Sequence, residues 1–370
     1  MKSKKPFDFW IFMAVVILLA IGTIMVFSAS APTAYSNYND TYYFLKKQLM
    51  VVPLGFIAMF ITMNIDYKKW GKWSPIFLII SLVLIILVAV PGIGIKVNGA
   101  RRWIGVGSKP LFQPSEFAKL AVILFFSFSL SKRKEQLVSF FKGLLPYLIL
   151  VGLFAGVLLI FQSHLSVTIV IALVSFIILF SAGARIKHFV ILAIPTISAL
   201  MVAIYFSGYR SQRLFSFLDP FADKQGDGWQ VINSLYAIGS GGLFGRGLGK
   251  SLQKFLYIPE PHNDFILAVL AEELGFIGVL VILLLFLILI WRGIKIAMNA
   301  PDVFSSLVAI GITSLIALQV VMNIAVVTSS MPVTGISLPF ISYGGTSLLF
   351  LMSGIGILLN ISRFSNYERI

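Results

Sequence analysis

Phe9-Trp-Ile-Phe-Met-Ala-Val-Val-Ile-Leu-Leu-Ala-Ile-Gly-Thr-Ile-Met-Val-Phe27 holds one polar side chain, Thr23, in nineteen residues. A ~30 Å hydrocarbon layer takes about 20 apolar residues of helix, so this run is a membrane crossing. Lys2, Lys4 and Lys5 precede it and Ser28-Ala-Ser-Ala31 follows, imitating a signal-peptidase site. The run is longer than the about 7–15 apolar residues of a secretory signal, and we read an uncleaved helix. Nine further apolar stretches follow, giving ten in all: 8–29, 44–64, 74–92, 115–131, 143–161, 166–183, 188–206, 265–291, 304–327 and 345–361. Of the 370 residues, 58% are hydrophobic and 12% charged, with a mean hydropathy of +0.96. Soluble domains carry about 25% charged residues, so a soluble globular protein is excluded. The expected fold is all-α, one polytopic membrane domain over residues 1–370. Cysteine is absent, which removes disulfides, thiolate nucleophiles and Cys-based metal sites.

A net charge of +15 would suggest nucleic acid in a soluble chain. With a cytoplasmic N-terminus, sixteen of the 29 basic residues fall on inner segments, while outer segments 30–43, 162–165 and 328–344 carry none. The positive-inside rule then puts both termini in the cytoplasm, and no nucleic-acid partner is needed. Ten basic residues break the pattern. Outer segment 93–114 has Lys96, Arg101, Arg102 and Lys109; the large outer segment 207–264, between the seventh and eighth spans, has Arg210, Arg213, Lys224, Arg246, Lys250 and Lys254. They are either solvated loop surface or a surface for an anionic headgroup, since Arg and Lys hold phosphates by charge-assisted hydrogen bonds.

Within 207–264, Trp229 to Ile238 reads as a short amphipathic helix, and 239–249 holds six glycines in eleven residues. That run fits neither glycine-rich nucleotide pattern and reads as a turn region open to close approach of backbone or ligand. Glu116 and Lys119 stand at i and i+3 just after Gln113-Pro114-Ser115, a good helix start; they are a neutralising pair or a substrate contact. Asp264 follows Pro259-Glu-Pro-His-Asn263 at the opening of the eighth span, where a helix N-terminus favours a carboxylate, and is an N-cap or a chemical group. Glu272 and Glu273 point about 80° and 180° away from it on a regular helix, so at most one shares its cavity. Met331 to Ser347 mixes Pro, Gly and hydroxyls at membrane depth, which requires burial in protein or a wet cavity.

Together these stretches resemble the FtsW/RodA/SpoVE (SEDS) family: Asn98-Gly-Ala-Arg-Arg-Trp-Ile-Gly-Val-Gly107, Gln113-Pro-Ser-Glu-Phe-Ala-Lys119, Ser234 to Gly249, Pro259 to Phe265 with Glu272-Glu-Leu-Gly275, and Pro332 to Ser347. The likeness spans nearly the whole chain and is closer to the division and sporulation members than to the elongation member. It implies a peptidoglycan glycosyltransferase of the cytoplasmic membrane that polymerises lipid II at the outer face. It also implies a class B penicillin-binding protein as crosslinking partner and other division or sporulation membrane proteins around it. Asp264 matches the family's essential aspartate, and Glu116, Lys119 and Arg102 match its polar positions; Arg210, Arg213, Ser342, Gly344 and Gly345 complete the expected substrate face. No divalent cation is required by the sequence, although magnesium or manganese could bridge pyrophosphate and carboxylate. One departure stands out: many relatives carry an aspartate after the fifth span where this chain reads Ser163-His164-Leu165-Ser166. A lipid II flippase and a non-enzymatic scaffold are the competing functions.

Overall fold

The computed structural model describes residues 5–97, 99–107, 109–133, 137, 139–190, 217, 219–222, 228–255 and 257–365. Most of the expected seventh span, with Arg210 and Arg213, lies outside the described residues. Among those described, eight helices are long and apolar enough to cross a membrane, and a ninth apolar helix is shorter. In chain order they begin with α1 (Phe9–Tyr38), α2 (Tyr43–Asn64) and α3 (Tyr67–Leu87). Next come α4 (Pro114–Lys132), α5 (Leu145–Gln162, entered through a π-turn at Phe140–Leu144) and the short α6 (Leu165–Ser181). The non-spanning α7 (Trp229–Gly241) precedes α8 (Ile266–Met298), α9 (Val303–Val327) and α10 (Gly345–Ser362).

α4, α9 and α10 are the inner helices, with 72%, 67% and 72% of their apolar windows buried, against 17–28% for α2, α3, α5 and α8. The inner three therefore carry polar side chains inside protein rather than in lipid. α2 packs along α10, α3 along α4, and α8 between α9 and α1. α1 runs on to Tyr38, past the expected end near 29, and closes on Asn39 in the left-handed conformation.

The all-helical expectation holds, with one small sheet added to it. Segment 93–114 folds as an antiparallel sheet of β1 (Gly94–Val97), β2 (Ala100–Val106) and β3 (Lys109–Phe112), in that order. Val97 pairs with Ala100 and Val106 with Lys109, so both turns are two-residue hairpins, with Gly99 (φ 82°) and Gly107 (φ 63°) supplying the positive φ such turns need. Arg101 and Arg102 on β2 reach opposite ways: Arg101 donates to the Ala89 carbonyl just past α3, and Arg102 to the Gln162 and Ser163 carbonyls that end α5. Each guanidinium serves the negative end of a helix.

From Ile336 to Ser342 the irregular segment before α10 is largely buried in the bundle, as membrane depth demands. A Cβ on Gly22, midway along α1, would collide with the Phe340 carbonyl oxygen and lie 2.7 Å from Ile341 Cα, so this backbone crosses α1 where only glycine leaves room.

Candidate active site

Pro114 opens α4 without a wasted N–H, and its first two turns bring Glu116 and Lys119 together. Lys119 Nζ lies 2.9 Å from Glu116 Oε2, with both residues buried. Desolvating two charges is offset only while both are present. Lys119→Met is therefore expected to cost about 3–5 kcal/mol of stability, read as a drop in the detergent-solution Tm. The reversed pair Glu116→Lys with Lys119→Glu should recover most of that stability without recovering activity.

His164, between α5 and α6, is buried close to this pair. The Gln113 side-chain amide nitrogen, which can only donate, lies 3.1 Å from His164 Nε2, so Nε2 accepts and the ring keeps its proton on Nδ1. Burial first, then the charges of Arg102 and Lys119, lower the His164 pKa to about 3. His262, packed against Phe44 and Tyr343, is lowered to about 4 by burial, which Glu260 partly opposes. In the unfolded chain both would titrate near the ordinary value of 6.5. The unfolded state therefore takes up protons first, and stability falls as pH drops from about 6.5 toward 3–4. Melting curves across that window should flatten in His164→Asn and His262→Asn.

Asp264 stands one residue before the N-cap of α8, Phe265. Its backbone carbonyl accepts from the Asn323 amide of α9 at 2.8 Å, and the same nitrogen donates to the Ile336 carbonyl at 2.7 Å. One buried asparagine thus ties the aspartate to the irregular segment. Gly335 (φ 72°) faces it so closely that a Cβ there would lie 3.2 Å from Asp264 Oδ2. Neighbouring Thr334 accepts through its carbonyl from the Ser166 hydroxyl at the start of α6, and the Tyr343 N–H donates to the His262 carbonyl. Thr346 closes the ring, accepting from Gln113 N–H and donating to the Leu111 carbonyl. Of the expected substrate face, Ser342 accepts from the Leu338 N–H at 2.8 Å. Together with Gly344, Ser337 and Ser347 it lines a small crevice, while Gly345 begins α10 against Val51. Among the described residues no three His, Asp or Glu side chains are grouped to cage a metal ion.

A sequence profile of the FtsW/RodA/SpoVE family, described as cell cycle protein, matches residues 9–367. The chain belongs to this family. Stage V sporulation protein E of Bacillus subtilis (strain 168) is 49% identical over 367 residues, 99% of each chain. A probable peptidoglycan glycosyltransferase FtsW of Trichlorobacter lovleyi is 44% identical, over 97% of this chain and 95% of its own. Among solved structures, a chain of a peptidoglycan synthase complex that coordinates polymerization and crosslinking superposes with a TM-score of 0.80 at 28% identity, covering 98% and 99% of the two chains. The rod-shape-determining protein RodA of Thermus thermophilus gives 0.71 at 26% identity, covering 96% and 97%. Like its relatives, this family member is a multi-pass protein of the cytoplasmic membrane.

Two features of this FtsW/RodA/SpoVE chain were not legible in its sequence. α8 is broken at Gly275 (φ 68°, ψ −170°), and the glycine-rich run enters the gap. Arg246 and Gly247 N–H groups donate to the Glu272 and Glu273 carbonyls, while Phe276 and Ile277 N–H groups donate to the Gly242 and Leu243 carbonyls. The helix ends freed by the break are thus satisfied by loop backbone. The second is Lys254, expected among the outer cations. It is buried, its ammonium used by Glu273, Ser28 and the Gly249 carbonyl. Arg246 and Lys250 remain exposed on that segment.

Proposed function

We propose that this chain is a peptidoglycan glycosyltransferase that polymerises lipid II, a disaccharide-pentapeptide on undecaprenyl pyrophosphate, at the outer face of the cytoplasmic membrane in division or sporulation. The observation that carries the reading is the setting of Asp264. The carboxylate stands at a helix N-terminus, is tied through Asn323 to an irregular segment, and faces Gly335, which is exposed and carries no side chain to cover it. In the reaction the 4-hydroxyl oxygen of the acceptor sugar bonds to the donor's anomeric carbon as the bond to pyrophosphate breaks. Asp264 takes the hydroxyl proton as general base. One displacement with inversion needs no enzyme nucleophile. Exposed Arg246 and Lys250, with Arg210 and Arg213, would balance charge developing on the leaving pyrophosphate. Arg102, Glu116, Lys119, Ser342, Gly344 and Gly345 shape the face on which the substrate lies. A class B penicillin-binding protein is the proposed partner, because the structural relative with the TM-score of 0.80 comes from a complex joining polymerization to crosslinking.

Vesicles carrying the purified protein and fluorescent lipid II test the reading. Glycan ladders on a gel support it. Label that changes leaflet without ladders would make the protein a transporter, and neither would make it a scaffold.

A further inference from the structure

Glu272 and Glu273, neighbours on α8, are fully buried and take no part in the arrangement around Asp264. The Ser28 hydroxyl of α1 lies 2.7 and 2.8 Å from the two Glu273 oxygens, and Lys254 Nζ lies 2.8 Å from Oε1. Gly249 and Ser251 N–H groups donate to the same carboxylate at 3.0 and 3.4 Å. Glu272 accepts from the Ser251 hydroxyl at 2.5 Å and from the Leu252 and Gln253 N–H groups at 3.0 and 3.2 Å. Segment 249–254 therefore wraps two adjacent acids at once, although their side chains leave the helix about 100° apart. Backbone N–H groups presented this way form an anion cradle, and a pair of desolvated carboxylates needs that many donors.

The placement of the wrap gives it consequence. It grips α8 eight and nine residues beyond Asp264, about 12–13 Å along the helix, and the chain then returns to the start of that helix. Short turns carry it back, with the Ile258 N–H on the Gln253 carbonyl and the Asn263 N–H on the Glu260 carbonyl. Residues 249–255 and 257–264 form a strap along the first turns of the helix they lead into, held at one end by the acids and at the other by the Tyr343 N–H on the His262 carbonyl.

We infer that Lys254, Glu273, Glu272 and Ser28 form a positioning clamp: by fixing this strap to α1 and α8 they set where Asp264 stands, so that the clamp governs turnover rather than substrate binding. The inference rests on the glycosyltransferase reading.

The chain has no cysteine, so a nitroxide on Leu252→Cys, an exposed position, reports the strap alone. Relative to this labelled parent, Lys254→Met and Glu273→Gln should lower kcat on fluorescent lipid II at least about tenfold with KM changed less than about threefold, and the label should gain mobility. Lys254→Arg should restore part of both. Folded Lys254→Met protein with parental kcat, or with lost kcat and an equally immobile label, would overturn the clamp. If Lys254→Met does not fold, Ser28→Ala, which removes one hydroxyl and keeps the ion pair, decides. A smaller drop in kcat with looser label supports the clamp, and unchanged values of both overturn it. A wild-type protein that makes no polymer refutes the functional reading, while label mobility still shows whether the acids hold the strap.

Discussion

Asp264→Asn is expected to lower the rate of lipid II polymerisation by about 10²–10⁴-fold, the usual contribution of a positioned general base. The substitution is nearly isosteric, and the tie to Asn323 runs through the Asp264 backbone carbonyl rather than its side chain. The fold should therefore persist, with the substituted side-chain amide still facing Gly335. What is lost is the negative charge that accepts the acceptor's proton as the new glycosidic bond forms. Initial rates from gel densitometry, at equal amounts of folded protein, measure the effect. A variant within about threefold of wild type would remove Asp264 from the chemistry and leave it a local anchor.

Gly275→Ala should be strongly destabilising for the sake of one methyl. With φ 68° and ψ −170°, Gly275 occupies backbone space that is essentially glycine's alone. A Cβ there would collide with Gly245 N and lie 2.5 Å from the Leu243 carbonyl oxygen. Both obstacles are backbone of the inserted loop and cannot rotate away. Strain and displaced loop hydrogen bonds together should cost about 3 kcal/mol or more, seen as a large Tm loss or as failure to accumulate folded protein. Gly152→Ala in α5, where an added methyl meets nothing within 4 Å, is the control and should be neutral or slightly stabilising. Equal melting of the two variants would contradict the loop insertion.

The helices were legible wherever apolar runs were long, because lipid leaves the backbone no other partner than itself. The Glu116–Lys119 pair was legible because both partners sit on one helical turn. The sheet of 93–114 was not anticipated, although Asn98-Gly99 and Gly107-Ser108 are two-residue turn signals between short β-branched and aromatic stretches; their four-to-seven-residue strands are overshadowed by the neighbouring spans. The partners of Glu272 and Glu273 were not legible because angles on a regular helix say which way a side chain leaves, not what folds back to meet it. Segment 249–254 lies some twenty residues earlier in the chain, and its donors are mostly backbone N–H groups that every residue carries. Lys254 looked like its exposed neighbours for the same reason. Its pairing with Glu273 and Ser28 joins three distant stretches, and no local spacing records such contacts.

One assay tests the role of Asp264 in polymerisation most directly: purified protein mixed with fluorescent lipid II and its penicillin-binding partner, the products resolved as glycan strands on a gel, with Asp264→Asn run alongside. Ladders of polymer from the wild type and only unreacted lipid II from the variant are the predicted result. Ladders of equal intensity in both lanes, or none in either, would contradict it.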